Sequence, residues 1–109
     1  MRNEDNTIDV FKALADSTRR SIMQMLLTDQ PLTINEISGR FDMSRQATTR
    51  HIYYLQEAGL LRLETQGRNT LCYPEYKPMK EVNEYLSYFD KFWNVSLNNL
   101  ENYLDNKKK

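Results

Sequence analysis

One cysteine and one histidine stand among 109 residues, with only three glycines and three prolines. A lone cysteine excludes an internal disulfide framework, and a lone histidine excludes a metal site rich in Cys or His. Three glycines leave no Gly-rich phosphate loop, and neither a Ser/His/Asp order nor a paired-acid spacing points to catalysis. No apolar run approaches the roughly 18 residues that span a bilayer. The opening MRNEDNT lacks the basic and apolar regions of a secretory signal. These absences predict a non-enzymatic protein of the reducing cytoplasm, with no cofactor, no bound metal and no membrane partner.

Net charge is missing as well, since fifteen basic side chains balance fifteen acidic ones. The balance is uneven along the chain. Residues 1–39 carry four basic and six acidic groups, and residues 74–106 carry three and six. Between them, residues 40–73 hold five basic groups, all arginine (Arg40, Arg45, Arg50, Arg62, Arg68), against Asp42, Glu57 and Glu64. Arginine's planar fork suits phosphates and guanine edges better than lysine's point charge does. A solvated surface is the simpler reading of such a segment taken alone. Seven tyrosines, four phenylalanines, one tryptophan and thirteen leucines supply enough apolar surface for one domain over residues 1–109.

Apolar spacing predicts helices in order. Ile8, Val10, Phe11 and Leu14 form a first short one, and Asp16 caps a second with Ile22, Met23, Leu26 and Leu27 at helical intervals. Pro31 stops it. Thr33 and Glu36 fit a capping box that opens a third helix reaching Phe41, so that only Asp42 and Met43 precede the next cap, Ser44. The fourth helix runs to Ala58, where Gly59 is placed to take a left-handed conformation. Two extended runs, 60–65 and 70–73, read as a hairpin around Gln66-Gly67-Arg68-Asn69. After Pro78, Val82, Leu86, Phe89, Trp93, Leu97, Leu100 and Leu104 recur every three or four residues. No glycine or proline interrupts them, which predicts one long helix over 79–105.

Two helices joined by a tight turn and followed by a hairpin describe a winged helix-turn-helix over residues 7–74, mostly α with a small β-hairpin wing. At about 100° per residue, Arg45, Gln46, Thr49, Arg50, Tyr53 and Gln56 share the outward arc of the fourth helix. Ala47, His51, Ile52, Leu55 and Ala58 lie opposite. The first three turns of that helix contain no acid, unlike the Lys/Glu mixture of an ordinary solvated face. Arg to guanine and Gln to adenine are bidentate pairings of the major groove, Thr49 suits a phosphate or a thymine methyl, and Ser44 sits where a helix N-terminus meets a phosphate.

The run Ala13-Leu14-Ala15-Asp16-Ser17-Thr18-Arg19-Arg20 is one of several linked motifs. A second is Met43-Ser44, Ala47, Arg50-His51-Ile52 and Leu55-Gln56-Glu57-Ala58-Gly59-Leu60-Leu61, in that order. Together they resemble the ArsR family of bacterial transcriptional regulators, from about Val10 through the hairpin. Phe92-Trp93, Leu97, Leu100-Glu101 and Tyr103-Leu104 resemble the branch with a Trp-containing last helix. The resemblance implies a homodimeric repressor that reads double-stranded operator DNA with the fourth helix. The matching positions are Ser44, Arg45, Gln46, Thr49 and Arg50, with Arg68 in the wing. Metal sensing does not carry over, because the third helix has no cysteine and the last helix has no histidine. Thr48 departs from the family's apolar residue on the inner face, and one wing arginine replaces the several of many relatives.

Cys72 reads as a half-buried strand residue rather than a redox sensor, and His51 as a helix-packing residue. Arg19 and Arg20 read as helix-surface residues beside the capping Asp16. The aromatics Tyr85, Tyr88, Phe89, Phe92, Trp93 and Tyr103 suit either a ligand pocket or a contact with another subunit. The length of the stripe favours the subunit contact, which places Ile8, Phe11, Val82, Leu86, Phe89, Trp93, Leu97 and Leu100 in a dimer interface. A protein-interaction module, and a small-molecule sensor using the aromatic last helix, remain as alternatives. With metal set aside, relief of repression is expected from a partner protein, a small molecule or simple changes in abundance.

Overall fold

The structure, a computed structural model, describes residues 8–90, 92 and 99–105. Each early helix begins on a side-chain cap. Asp9 accepts the Phe11 N–H at 2.6 Å and opens α1 (Val10–Ala13). Asp16 accepts the Thr18 and Arg19 N–H groups at 2.8 and 3.1 Å and opens α2 (Ser17–Thr28). Thr33 ends β1 (Leu32–Thr33) and also caps α3 (Ile34–Ser38) through the expected reciprocal pair. Glu36 N–H donates to Thr33 Oγ1 at 3.0 Å and Thr33 N–H to Glu36 Oε1 at 2.8 Å. α4 (Arg45–Glu57) follows, then β2 (Leu61–Gln66), β3 (Asn69–Pro74) and α5 (Met79–Ser87).

The three strands form one antiparallel sheet in the order β1-β3-β2. Nothing in the sequence pattern announces β1. It has two residues, too few for alternation to register, and it exists through its pairing of Leu32 with Cys72 and Thr33 with Leu71. Ile22 and Leu26 of α2, Ile37 of α3, Ile52 and Leu55 of α4, and Leu60 are fully buried, so the three helices and the sheet root share one core. Cys72 lies wholly inside this core rather than half-exposed, and burial pushes its thiol up to about 11. Such a thiol stays protonated at neutral pH and is a poor nucleophile.

Three further expectations are corrected. α3 stops at Ser38, and Arg40 and Phe41 continue as tight turns through Arg40 N–H to Ile37 C=O and Phe41 N–H to Ser38 C=O. The connection to α4 is therefore residues 39–44, not the two residues anticipated. Gln66 pairs with Asn69, so the hairpin turn shrinks to Gly67-Arg68. The last helix is not continuous. At the end of α5 the Ser87 hydroxyl donates to the Glu84 carbonyl at 2.6 Å, and Tyr88 and Phe89 N–H groups bond three residues back, to Tyr85 and Leu86. Side-chain back-bonding of this kind competes with the helical ladder. Residues 90, 92 and 99–105 are helical again.

Among the residues expected at a dimer interface, Ile8, Phe11 and Val82 rest partly against the chain's own core. Phe89 is half-buried, and Leu86 and Leu100 are exposed. Trp93 and Leu97 lie outside the described residues. α1 and α5 meet through edge-on rings, Phe11 to Tyr85 at 5.4 Å and Tyr85 to Phe89 at 5.3 Å.

Two glycines with positive φ bound the wing region, but only one is sterically enclosed. Gly59 has φ 80°, and an added Cβ meets Pro78 Cγ at 3.3 Å; Gly67 has φ 61° and open space around it. Gly59→Ala is expected to cost about 1–3 kcal/mol, and Gly67→Asn well under 1 kcal/mol, since Asn tolerates the left-handed region. Urea unfolding of both variants checks this, and equal losses would contradict it.

Candidate nucleic-acid interface

The inner face of α4 is fixed by burial. Ile52 and Leu55 are fully enclosed, and so is Thr48, whose hydroxyl donates to the Ser44 carbonyl at 3.1 Å and thereby satisfies the only fully buried polar residue among the described residues. Ser44 caps the helix by accepting the Ala47 N–H at 3.0 Å. With that face anchored, Arg45, Gln46, Arg50, Tyr53 and Gln56 are exposed on the opposite side. Thr49 differs from the expectation of an outward hydroxyl. It is half-buried, and its Oγ1 is shielded without a hydrogen-bond partner.

The central arginines divide by partner. Arg40 pairs with Asp29 at 2.9 Å. Arg62 pairs with Glu64 and with Glu75, the latter at 3.1 Å, and lies over the Tyr73 ring at 4.4 Å. Both are neutralised locally; Glu64 is two residues from Arg62 on the same strand, whereas Asp29 and Glu75, eleven and thirteen residues from their arginines, escape sequence spacing. Arg45 gives its Nε to Asn35 Oδ1 of α3, tying the two helices of the motif together and using one of its five donors. Arg50 on α4 and Arg68 at the wing tip are exposed, with no hydrogen bond or ion pair among the described residues. The five-arginine segment thus reduces to three cations free of acidic partners, Arg45, Arg50 and Arg68. Among the described residues no group of three His, Cys, Asp or Glu side chains could hold a metal.

Behind this surface stands a cluster that sequence spacing does not reveal. Arg19 is not a surface residue of α2. Its Nε donates to the Ala13 carbonyl at 2.6 Å and its Nη2 to the Lys12 carbonyl at 3.1 Å, at the C-terminal end of α1. Its Nη1 lies 3.2 Å from His51 Nδ1, and its guanidinium carbon sits 4.0 Å over the Tyr54 ring, both on α4. Because arginine can only donate, Nδ1 is the acceptor, and neutral His51 carries its proton on Nε2. His51 is therefore a helix-packing residue, as expected, and Asp16 lies 4.0 Å from the same nitrogen. Partial burial raises the Asp16 pKa, but the Arg19 and Thr18 N–H groups and the Arg19 charge together hold it below the ordinary 3.8.

Known proteins resemble this arrangement. A helix-turn-helix domain family matches residues 14–64. An uncharacterized HTH-type transcriptional regulator of Bacillus subtilis, YuzN, is 35% identical over 79 residues, 67% of this chain and 86% of that protein. The transcriptional activator HlyU of Vibrio cholerae is 31% identical over 84 residues, covering 74% of this chain and 77% of its own length. The crystal structure of an ArsR family transcriptional regulator superposes with a TM-score of 0.69 at 34% identity, covering 77% of this chain and 86% of that one.

Two substitutions test the cluster. Arg19→Met, which leaves two carbonyls and His51 without their charged donor, is expected to lose about 2–3 kcal/mol in urea unfolding. Arg20→Met, which removes one carbonyl contact of an exposed side chain, should lose under about 1 kcal/mol. For Asp16 the folded pKa is depressed, so its charge contributes stability above pH 3.8 that is lost as pH falls through the folded value. Asp16→Asn keeps a capping side chain, so its deficit against the parent should be complete at neutral pH and vanish in strong acid. A deficit independent of pH would contradict the charge assignment.

Proposed function

The chain belongs to the ArsR family of winged helix-turn-helix transcriptional regulators, and on that premise we propose that it is a homodimeric repressor reading an inverted-repeat operator with α4. The observation that carries the reading is the selective freedom of its arginines. Those on α4 and the wing tip have no acidic partner, while Arg40 and Arg62 are tied to acids. Arg45, Gln46 and Arg50 enter the major groove in this reading, with Tyr53 beside them. Arg68 reaches the flanking backbone or minor groove from the wing. Ser44 and the N-terminus of α4 meet a phosphate. Thr49 contributes its methyl group to a thymine rather than its hydroxyl to a phosphate, consistent with the shielded oxygen.

Dimerisation accounts for the apolar side chains that α5 and the helical residues beyond it leave in water. No residue of α5 is fully buried, Leu86 is 50% exposed and Leu100 51%, and Tyr88 and Phe92 are more open still. Two-fold pairing through α1 and this region sets the two copies of α4 about one DNA turn, roughly 34 Å, apart. A neutral chain has weak long-range attraction for DNA, so affinity rests on these contacts and on joining two half-sites.

Electrophoretic mobility with DNA from the protein's own promoter region is the first test. Binding should weaken with salt at a log–log slope near −0.9 per neutralised phosphate. Arg50→Ala should cost about 1–3 kcal/mol and relax preference at one operator position, whereas Arg68→Ala should weaken all sequences alike and flatten the slope. Arg62→Ala, already neutralised in the protein, should change the slope little. Intact protein should sediment as a dimer at micromolar concentration, and truncation after Pro78 should leave a monomeric or poorly folded product with far weaker operator binding. A monomer that binds a single half-site normally would contradict the dimer mechanism.

A further inference from the structure

An apolar cleft of about 340 Å³ opens between α2 and the start of α5, away from the arginines of α4 and the wing. Leu14, Met23, Leu27, Tyr76 and Met79 supply its apolar walls, and Arg20 and Gln24 are its polar members. Arg20, Met23, Gln24 and Leu27 fall at i, i+3, i+4 and i+7, a single face of α2. The core takes Ile22, Met23 and Leu26 of α2, so Met23 forms the floor where this second face meets the core, and Leu27 beyond it has no reason to be apolar on the core's account. Yet Leu27 is 62% exposed and Tyr76 41%. The volume falls within the range of small-molecule pockets, which are mostly apolar with a few placed polar groups.

Arg20 gives the cleft its sign. Its Nη1 donates to the carbonyl of Leu14, another lining residue, at 2.6 Å, which pins the guanidinium beside it, and no acid pairs with it among the described residues. Four of its five donors are left for a ligand. We propose that this cleft binds a small carboxylate with an aromatic or medium-chain aliphatic body. The body lies among Met23, Leu27, Tyr76 and Met79, and the carboxylate sits on the Arg20 fork, with the Gln24 amide as a second donor. A neutral hydrocarbon leaves the oriented cation unused, and a cationic ligand meets it with repulsion. The cleft joins Leu14, just past α1, to Met79, the first residue of α5. On the regulator reading above, its occupant is an effector, because α1 and α5 are the elements assigned there to dimerisation.

The test needs no DNA, so its failure and the failure of the regulator reading are separate results. Equilibrium dialysis of the full chain against 2-naphthoate and octanoate is compared with 1-naphthylmethylamine, an aromatic body of opposite charge. One saturable site per chain for the carboxylates is expected, with the amine about tenfold weaker or worse. Arg20→Gln should weaken the carboxylates by about tenfold while thermal unfolding stays near that of the parent. Leu27→Glu, a change at an already exposed position, should abolish binding of both. Absence of saturable binding at millimolar ligand overturns the proposal, as does binding indifferent to both substitutions. A Leu27→Glu variant that loses self-association and keeps its ligand overturns it too, because the cleft is then a contact between copies of the chain.

Discussion

One guanidinium ties α4 to both α1 and α2. Arg19 projects from the first turn of α2, takes two carbonyls at the end of α1, and faces His51 and Tyr54 on α4 with its remaining edge and its flat side. Such a group never loses its charge in a protein, and its planar fork can serve two directions at once in a way that lysine's single ammonium cannot. The fully buried Thr48, Ile52 and Leu55 set which arc of α4 faces inward. The Arg19 contacts at His51 and Tyr54 add a polar and a cation–π tie from α2 to the same helix.

The electrostatics follow a similar logic of local choice. A chain with equal numbers of acidic and basic groups has little field at a distance, and salt screens most of what remains beyond about 10 Å. Charge matters here residue by residue. Asp29 and Glu75 neutralise two arginines that flank the motif, and the central arginines without an acidic partner, Arg45, Arg50 and Arg68, stand on α4 and at the turn between β2 and β3. Placing Arg68 in a turn closed by the Gln66–Asn69 pair, with a left-handed Gly67 before it, keeps it at the extreme of the hairpin. The buried Cys72 at the root of the same sheet contributes packing and no accessible redox chemistry.

Features set by residues close to one another in the chain are legible in the sequence alone. The Asp16, Thr33 and Ser44 caps, the Gly59 turn and the burial of Ile22, Ile52 and Leu55 depend on spacing and side-chain type, and each stands where the pattern places it. Features that depend on partners distant in sequence are not. The Arg19 contact with His51 spans 32 residues, β1 exists only through β3, and the second acid on Arg62, Glu75, comes from beyond the other hairpin strand. The interruption after Ser87 is local, yet it escapes the pattern because the breaker is a serine hydroxyl bonded to Glu84 rather than a glycine or proline. Helical periodicity suffices to place Arg45, Gln46, Arg50 and Tyr53 on the exposed arc of α4. Thr49 misleads because its hydroxyl turns inward from a position on that arc.

Selection from a random pool of duplex DNA by the full chain tests the central claim most directly. If α4 reads the major groove from each half of a two-fold dimer, repeated rounds enrich one inverted repeat with half-site centres about one helical turn, roughly 34 Å, apart. A pool that stays random after selection, or one that yields isolated half-sites with no partner at fixed spacing, contradicts the account.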